Sequence, residues 1–196
     1  VAGTSSSKER EEGPYRCSDG EKRPGEIKCS SHEYRPQIMI YENILDFAGS
    51  ISKDKALMGL DLGSKTIGVA ISDSLKTVAT PIKTIKRTKF SEEVTTLFTL
   101  ISERDLSGII LGLPKNMDGS EGARCQSTRA FARNINKFQD FPITFWDERL
   151  STVAAEKALL EADITRKRRS EVIDHVAASY ILQGALDRMS HNKSLK

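Results

Sequence analysis

A single acidic residue, Asp61, ends an apolar segment, and this arrangement constrains the fold more than any other feature of the chain. Residues 57–62 have the composition of a buried strand, and a second apolar segment follows the turn signal at 63–64. Glycines at positions 59, 63 and 68 remove side chains around the acid, which leaves room for a bulky anion. Because a carboxylate is costly to bury without a positive partner, the stretch predicts either a cation site or an aspartate that caps the turn.

The rest of the chain alternates between strand-like and helix-like patterns. Short turns join the first three strands and favour an antiparallel meander, whereas the wholly apolar segment 108–112 is typical of a buried parallel strand. The order β-β-β-α-β-α-β-α-α predicts an α/β fold with a five-stranded mixed sheet, three strands antiparallel and two parallel, and helices on both faces. Strands are predicted at 56–62, 67–73, 78–86, 108–112 and 142–147, and helices at 91–104, after 120 to about 137, at 152–161 and at 170–189.

Two details of the predicted helices concern their ends and their buried faces. Ser91 is a good N-cap for the first helix. Phe131, Ile135 and Phe138 stand at positions i, i+4 and i+7 of the second, which predicts a stripe that faces the core.

The N-terminal region, residues 1–38, is rich in Ser, Glu, Lys, Arg, Gly and Pro, and this composition predicts a disordered extension. Its seven basic and seven acidic residues cancel, so the net charge of +3 belongs to the remainder. Met39 is the predicted natural start. Residues 39–55 are predicted to be a lead-in with a short helix over 40–52, residues 56–190 the folded domain, and residues 191–196 a C-terminal tail.

Cysteine usage and hydropathy indicate the compartment. The chain has three scattered cysteines, which predicts a reducing compartment without a disulfide framework. Its sequence has no long apolar run, which predicts a cytoplasmic protein with no membrane partner. A pI near 8.7 is compatible with a nucleic-acid partner but does not require one.

Candidate site acids follow at two further places in the chain, at positions 147–148 and at position 174. Asp147 and Glu148 are consecutive in a strand, so one side chain should face the site and the other should face away, and strand alternation does not decide which. An ion pair with Arg149 is the alternative interpretation. Asp174 shares a helical stripe with Ala178, which predicts a buried acid. A helix start favours a negative charge by less than about 1 kcal/mol, too little to offset burial, so a site residue is favoured over a hydrogen-bonded buried aspartate.

Carboxylates without Cys or His partners favour a hard cation bound through oxygen. Mg²⁺ or Mn²⁺ is therefore the predicted cofactor, and zinc is not. His175 lies beside Asp174 but about 100° around the helix, which predicts a packing or surface histidine. Two such ions can clamp the attacking and leaving oxygens of a phosphodiester, so no protein nucleophile is needed.

Basic and polar residues near these acids are predicted to hold a polyanion. Residues 113–122 join a parallel-type strand to a helix, where free backbone N–H groups bind phosphate, although an ordinary turn is the alternative. Residues 162–169 carry a net +3 just before the helix of Asp174. The predicted nucleic-acid contacts are Lys65, Lys115, Asn116, Ser120, Arg129, Arg149, Arg166, Lys167, Arg168 and Arg169.

Four segments together resemble the YqgF (RuvX) family of the RNase H-like superfamily: residues 59–70, 112–120, 146–152 and 173–178. Members of this family are named both as Holliday junction resolvases and as pre-16S rRNA nucleases. The resemblance runs from about residue 57 to about residue 189. It implies an RNase H-like fold, and it implies that Asp61, Glu148 and Asp174 are the catalytic, metal-binding acids, which selects Glu148 over Asp147.

The resemblance leaves several functions open. The first is a metal-dependent nuclease that processes the 5′ end of pre-16S rRNA. The second is the same chemistry on branched DNA, for which symmetric cutting usually requires a two-fold dimer. The third is a non-catalytic RNA-binding or transcription factor on the same fold. A sugar-kinase or actin-like ATPase is disfavoured because the chain is too short for a second phosphate-binding domain. A nucleic-acid partner and a monomer or homodimer are therefore expected.

Overall fold

The computed structural model describes residues 39–150 and 169–193, and the side chains of residues 39–149 and 176–192. Several predictions fall elsewhere. The extension at 1–38, the helix at 152–161 and the basic residues Arg166, Lys167 and Arg168 lie outside the described residues, as does the side chain of Arg169.

Six strands in the described ranges form one mixed sheet, in the spatial order β1-β6-β5-β2-β3-β4. Strands β2, β3 and β4 form an antiparallel meander, whereas β5 is parallel to β2 and β6 is parallel to β5. The predicted mixed sheet is thus confirmed. The strands are β1 Ile40–Tyr41, β2 Ala56–Leu62, β3 Thr66–Ser72, β4 Ala79–Lys86, β5 Leu106–Leu113 and β6 Ile143–Asp147.

The sixth strand, β1, corrects the prediction of five. Its residues Ile40 and Tyr41 pair in parallel with β6, and the Ile143 amide donates to the Met39 carbonyl at 2.8 Å. The predicted helix over 40–52 is therefore shorter, and it begins only after Asn43, whose side chain accepts from the Leu45 amide. The apolar spacing of residues 40–52 fits a helix, but it does not show that Ile40 and Tyr41 pair with the edge of β6 instead.

Helices lie on both faces of the sheet, as predicted. On one face Leu60, Leu111 and Ile135 are fully buried in a core beneath α2 and α3. On the other, Phe47 of α1 packs with Ile110 and with Ile181 of α4. The helical elements are α1 Ile44–Ser50, α2 Phe90–Glu103, α3 Ala123–Phe138, a 3₁₀ turn Glu148–Leu150, and α4 Arg169–Lys193. Within the described ranges, no helix combines the length and apolar character that crossing a bilayer requires.

Two details of the helix predictions are wrong. Helix α2 begins at Phe90, so Lys89 and not Ser91 is the N-cap residue. Lys89 makes no side-chain hydrogen bond to the helix. Instead, the Glu93 side chain binds the residues just before α2, since it accepts hydrogen bonds from the Thr88 amide at 2.8 Å and from Arg87 Nε at 3.0 Å. Phe138 ends α3 with 55% of its surface exposed, so the predicted core stripe stops at Ile135.

Candidate active site at the carboxyl ends of the central strands

Asp61 lies near the end of β2, in register with Gly68 of β3, and only 8% of its surface is exposed. Strand alternation places it on the same face as Gly59, and this face is covered by α4. A Cβ atom at Gly59 would lie 2.6 Å from Leu182 Cβ and 3.0 Å from the Ala178 carbonyl oxygen. The glycine therefore allows α4 to pack directly on the strand that carries the acid.

Glu148 begins the 3₁₀ turn that follows β6, and it reaches the same face from the other side. Its Oε1 atom lies 2.7 Å from the position that a Cβ atom of Gly112 would occupy. Gly112 belongs to β5, between β6 and β2, and in the register with β2 it stands one residue beyond the Leu60–Leu111 pair. Asp61 and Glu148 thus flank a strand position that has no side chain, on the α4 side of the sheet.

The neighbouring acid, Asp147, has different surroundings. Arg149 holds its carboxylate with two nitrogen atoms: Nε lies 3.0 Å from Oδ1, and Nη2 lies 2.7 Å from Oδ2. The Arg149 amide also donates to Oδ1. These hydrogen bonds hold the pKa of Asp147 below its ordinary value. The alternative that sequence parity left open, an ion pair with Arg149, describes Asp147.

Asp174 lies in α4, and its side chain is outside the described part of the chain. Its backbone position is one helical turn before Ala178, whose carbonyl oxygen approaches Gly59. Among the residues whose side chains are described, no group of three or more His, Cys, Asp and Glu could hold a metal ion, and Asp174 is not among them. The convergence of all three acids therefore stays a prediction.

The loop between β5 and α3 carries three of the predicted nucleic-acid contacts, Lys115, Asn116 and Ser120. Ser120 accepts from the Asn116 side-chain amide at 2.8 Å and donates to Asp118 at 2.6 Å. Gly119 has a φ of 87°, a conformation that favours glycine. The loop therefore has a fixed internal shape, and the hydrogen bonds from Ser120 hold the pKa of Asp118 below its ordinary value.

Arg149 fastens this loop to the turn that carries Glu148. Its Nη1 atom donates to the Met117 carbonyl at 3.4 Å and lies 3.4 Å from where a Gly119 Cβ atom would be. Lys115 is 3.8 Å from Glu121. Lys65 is exposed in the turn between β2 and β3.

Arg129 is the most strongly paired of the predicted contacts. Its Nε lies 2.7 Å from Glu121 Oε2 and its Nη1 lies 2.6 Å from Glu42 Oε1, while the guanidinium carbon lies 4.7 Å from the centre of the Phe145 ring. Sequence reasoning missed Glu42 and Glu121. Glu42 is 87 residues from Arg129, so no local pattern could have paired them.

A cavity of about 350 Å³ lies beside the turn that carries Glu148, at the carboxyl ends of β1, β5 and β6. Its lining includes Lys115 and Arg129 from the predicted contacts, together with Asp147. Sequence patterns could not predict this cavity, because its walls come from five separate segments of the chain.

Comparisons with known proteins show the family of this chain. A family model described as RuvX, Holliday junction resolvase, matches residues 55–188. A relative from Ruegeria sp. (strain TM1040) named "Putative pre-16S rRNA nuclease" is 65% identical over 156 residues, which covers 80% of this chain and 99% of the relative. A relative of the same name from Rhodobacter capsulatus is 62% identical over 78% of this chain and 96% of its own length.

Among solved structures, Thermus thermophilus RuvC in complex with a Holliday junction substrate matches with a TM-score of 0.43 and 11% sequence identity, covering 69% of this chain and 96% of that one. The family model and the curated relatives carry the assignment. The chain belongs to the RuvX (YqgF) family of nucleases.

Proposed function

We propose that this protein is a divalent-metal-dependent nuclease that processes the 5′ end of pre-16S rRNA in the cytoplasm. The observation that carries the proposal is the placement of Asp61 and Glu148 on one face of the sheet, on either side of Gly112. The names of the close relatives support the ribosomal substrate.

The donor set fits a hard metal ion. Asp61 and Glu148 offer carboxylate oxygens, the ligands that Mg²⁺ and Mn²⁺ prefer, and position 174 supplies a third acid in α4. Asp61, Glu148 and Asp174 would hold such ions, which would supply water activation and charge neutralisation for phosphodiester hydrolysis. The glycines at 59 and 112 allow Leu182 and Ile181 of α4 to pack directly against the strands beside the acids.

The chain's own residues would position the substrate. Lys115 and Asn116 belong to a loop whose shape is fixed by internal hydrogen bonds, so phosphate groups meet a preformed surface. Arg149 joins that loop to the Glu148 turn and thereby keeps the substrate contacts and the acid in one geometry. Lys65 and residues 166–169 are proposed as further phosphate contacts, which position the strand without reading its sequence.

Branched DNA is the second candidate substrate, because the matching family model is described as a Holliday junction resolvase. The test presents purified protein with pre-16S rRNA and a four-way DNA junction side by side, with Mn²⁺ or with chelator. We expect cleavage of the rRNA near its mature 5′ end, and none with chelator. Preferred, symmetric cutting of the junction by a dimer would reassign the substrate. Full activity in chelator would overturn the metal requirement.

The Asp61→Asn variant distinguishes a nuclease from a protein that binds RNA without cutting it. If this variant replaces the parent in cells without accumulation of pre-16S rRNA, the nuclease proposal fails. If the precursor accumulates while the variant protein remains folded, cutting is the function.

A further inference from the structure

The cavity beside the Glu148 turn has the position and size of a ligand site. It opens where three parallel strands end, and ligands of open α/β sheets bind outside the carboxyl ends of strands. Its volume of about 350 Å³ lies at the lower end of the range of small-molecule sites. Trp146, two residues before Glu148, and Arg188 of α4 line the cavity from the α4 side of the sheet, so a ligand here would lie near the turn that carries Glu148.

The floor of the cavity is apolar and partly aromatic. Ile44, Leu113, Phe145 and Trp146 contribute to it, from α1, β5 and β6, and Ile44 is the most exposed of the four, since the others are 2–8% exposed. Flat, weakly polar groups such as nucleobases pack well on such surfaces, and bases that leave a helical stack are commonly held on aromatic side chains or on arginine.

One wall of the cavity is a fixed guanidinium. Arg129 is held from two sides by Glu42 and Glu121, and it lies over Phe145. Its side chain is 20% exposed, so part of it remains available to a ligand. A wall of this kind is built before the ligand arrives, which reduces the entropy lost on binding.

The charges at the rim favour an anion attached to the flat group. Lys115, Arg129 and Arg188 are the basic lining residues, and Glu42 and Asp147 are the acidic ones. Arg149 already neutralises Asp147 through two hydrogen bonds from its side chain. Glu42 and Glu121 together offset Arg129 and Lys115, so the remaining balance is the single positive charge of Arg188, which suits a phosphate.

We propose that this cavity binds one unstacked nucleotide of the substrate strand, next to the phosphodiester that is cut. The base stacks on the outer face of the Arg129 guanidinium, whose other face covers Phe145, and Arg188 meets its phosphate. This inference rests on the proposed nuclease function and adds a substrate class: the strand must carry an unpaired nucleotide beside the cleavage position. A continuous duplex would leave the cavity empty.

The chain has one tryptophan, Trp146, and it lies in the cavity wall. Tryptophan fluorescence therefore reports on binding in this cavity. Calorimetry on the same solutions detects binding that does not change the fluorescence of Trp146. The probes are AMP, UMP, ribose 5-phosphate, a short single-stranded RNA and a fully paired RNA duplex, all with chelator to prevent cleavage. We expect AMP, UMP and the single strand to bind and change the fluorescence, the single strand most tightly, and ribose 5-phosphate and the duplex to leave it unchanged.

Two matched variants locate the binding. Arg188→Ala removes a rim cation and should weaken AMP binding roughly tenfold, the loss expected for one charged contact. Arg133→Ala removes an exposed arginine one turn after Arg129 on α3, outside the cavity lining, and should change nothing. Equal effects of the two variants would overturn the location.

The remaining outcomes are decisive as well. Absence of nucleotide binding by both methods overturns the proposal, and so does binding of free nucleotides without binding of the single strand, which would indicate a small-molecule effector. Asp61→Asn should abolish cleavage but keep the fluorescence response. If the unmutated protein binds the single-stranded RNA but does not cut it, the nuclease function is wrong and the nucleotide cavity is not. If the protein cuts RNA but shows neither a fluorescence change nor a binding heat, the nucleotide cavity is wrong and the nuclease function is not.

Discussion

Two adjacent acidic residues, Asp147 and Glu148, have opposite surroundings. Arg149 binds the Asp147 carboxylate, and Glu148 Oε1 lies 2.7 Å from the position of a Gly112 Cβ atom, on the face of Asp61. We expect Glu148→Gln to lower turnover by about 100-fold or more, because it removes a charge from the reacting centre. Cleavage assays with Mn²⁺ measure the loss, and thermal unfolding should show an unchanged fold.

Asp147→Asn is the matched control for this prediction. It removes the same charge one residue away and frees Arg149, so the Glu148 turn and the loop at 114–122 should loosen. We expect a smaller loss of turnover together with a lower unfolding temperature. If Asp147→Asn abolishes cleavage and Glu148→Gln does not, the assignment of the two acids is reversed.

Gly112 illustrates how closely the site is packed. A Cβ atom there would lie 2.5 Å from Ile181 Cδ1 and 2.7 Å from Glu148 Oε1. We expect Gly112→Ala to cost about 1–3 kcal/mol of unfolding free energy, as overpacking does, and to displace Glu148. Denaturant unfolding and the cleavage rate measure the two effects.

Gly49→Ala provides the comparison, since a Cβ atom at that position in α1 meets nothing within 4 Å. It should stabilise the protein by about 0.5–1 kcal/mol, because alanine favours a helix over glycine. Stability losses of similar size in both variants would mean that packing around Gly112 is not the cause.

At the level of elements, sequence periodicity predicts the interior of the fold well. The bounds of β2 match the prediction, and β3, β4 and α2 differ from it by one residue at each end or less. One miss has a tertiary cause, because β1 forms by pairing with the edge strand β6. The other is local: Glu93 accepts hydrogen bonds from Thr88 and Arg87, which immediately precede α2.

For the candidate site, strand parity left the choice between Asp147 and Glu148 undecided, and the family resemblance selected Glu148. Glu148 lies on the face of Asp61, and the catalytic role of the two acids stays a prediction. The pairing of Arg129 with Glu42 and Glu121 could not be read from the sequence, because the partners come from the ends of different elements. Such contacts depend on the order of the strands in the sheet, and this order cannot be predicted from short stretches of one sequence.

The attachment of β1 can be tested through one side chain, Asn136 of α3. Its Oδ1 atom accepts from the Met39 amide at 2.7 Å, and its Nδ2 atom donates to the Phe141 carbonyl at 2.9 Å. Asn136→Ala leaves both backbone groups without this partner, which should cost about 1–3 kcal/mol. Denaturant unfolding measures the cost, and hydrogen exchange should show faster exchange in β1 than in the central strands.

Asn134→Ala is the control, because Asn134 is exposed on the same helix. It should leave stability nearly unchanged or slightly higher, since alanine is the better helix former. Equal losses in the two variants would argue that α3 itself, and not its link to β1, is responsible.

Across the whole molecule, a charge network joins segments that are distant in sequence. Arg129 links Glu42, which follows β1, to Glu121, which precedes α3, and Lys115 approaches Glu121 from the end of β5. Hydrogen bonds from Arg129 hold the pKa of Glu121 below its ordinary value of 4.5. The network should therefore make stability depend on pH in the acid range.

The sign of this dependence follows from linkage. Below pH 4.5 the unfolded chain takes up a proton at Glu121 while the folded chain does not, so the stabilisation is complete above that pH and is lost as the pH falls through the lower folded pKa. We expect Glu121→Gln to be less stable than the parent at neutral pH, and the difference to shrink as the medium is acidified below pH 4.5. Denaturant unfolding of both proteins across this pH range measures the difference in stability.

Glu103→Gln, at an exposed glutamate that ends α2, controls for the loss of one negative charge and should keep the parent's dependence of stability on pH. A difference between parent and Glu121→Gln that stays constant into strong acid would show that the Arg129 network does not couple these segments through charge.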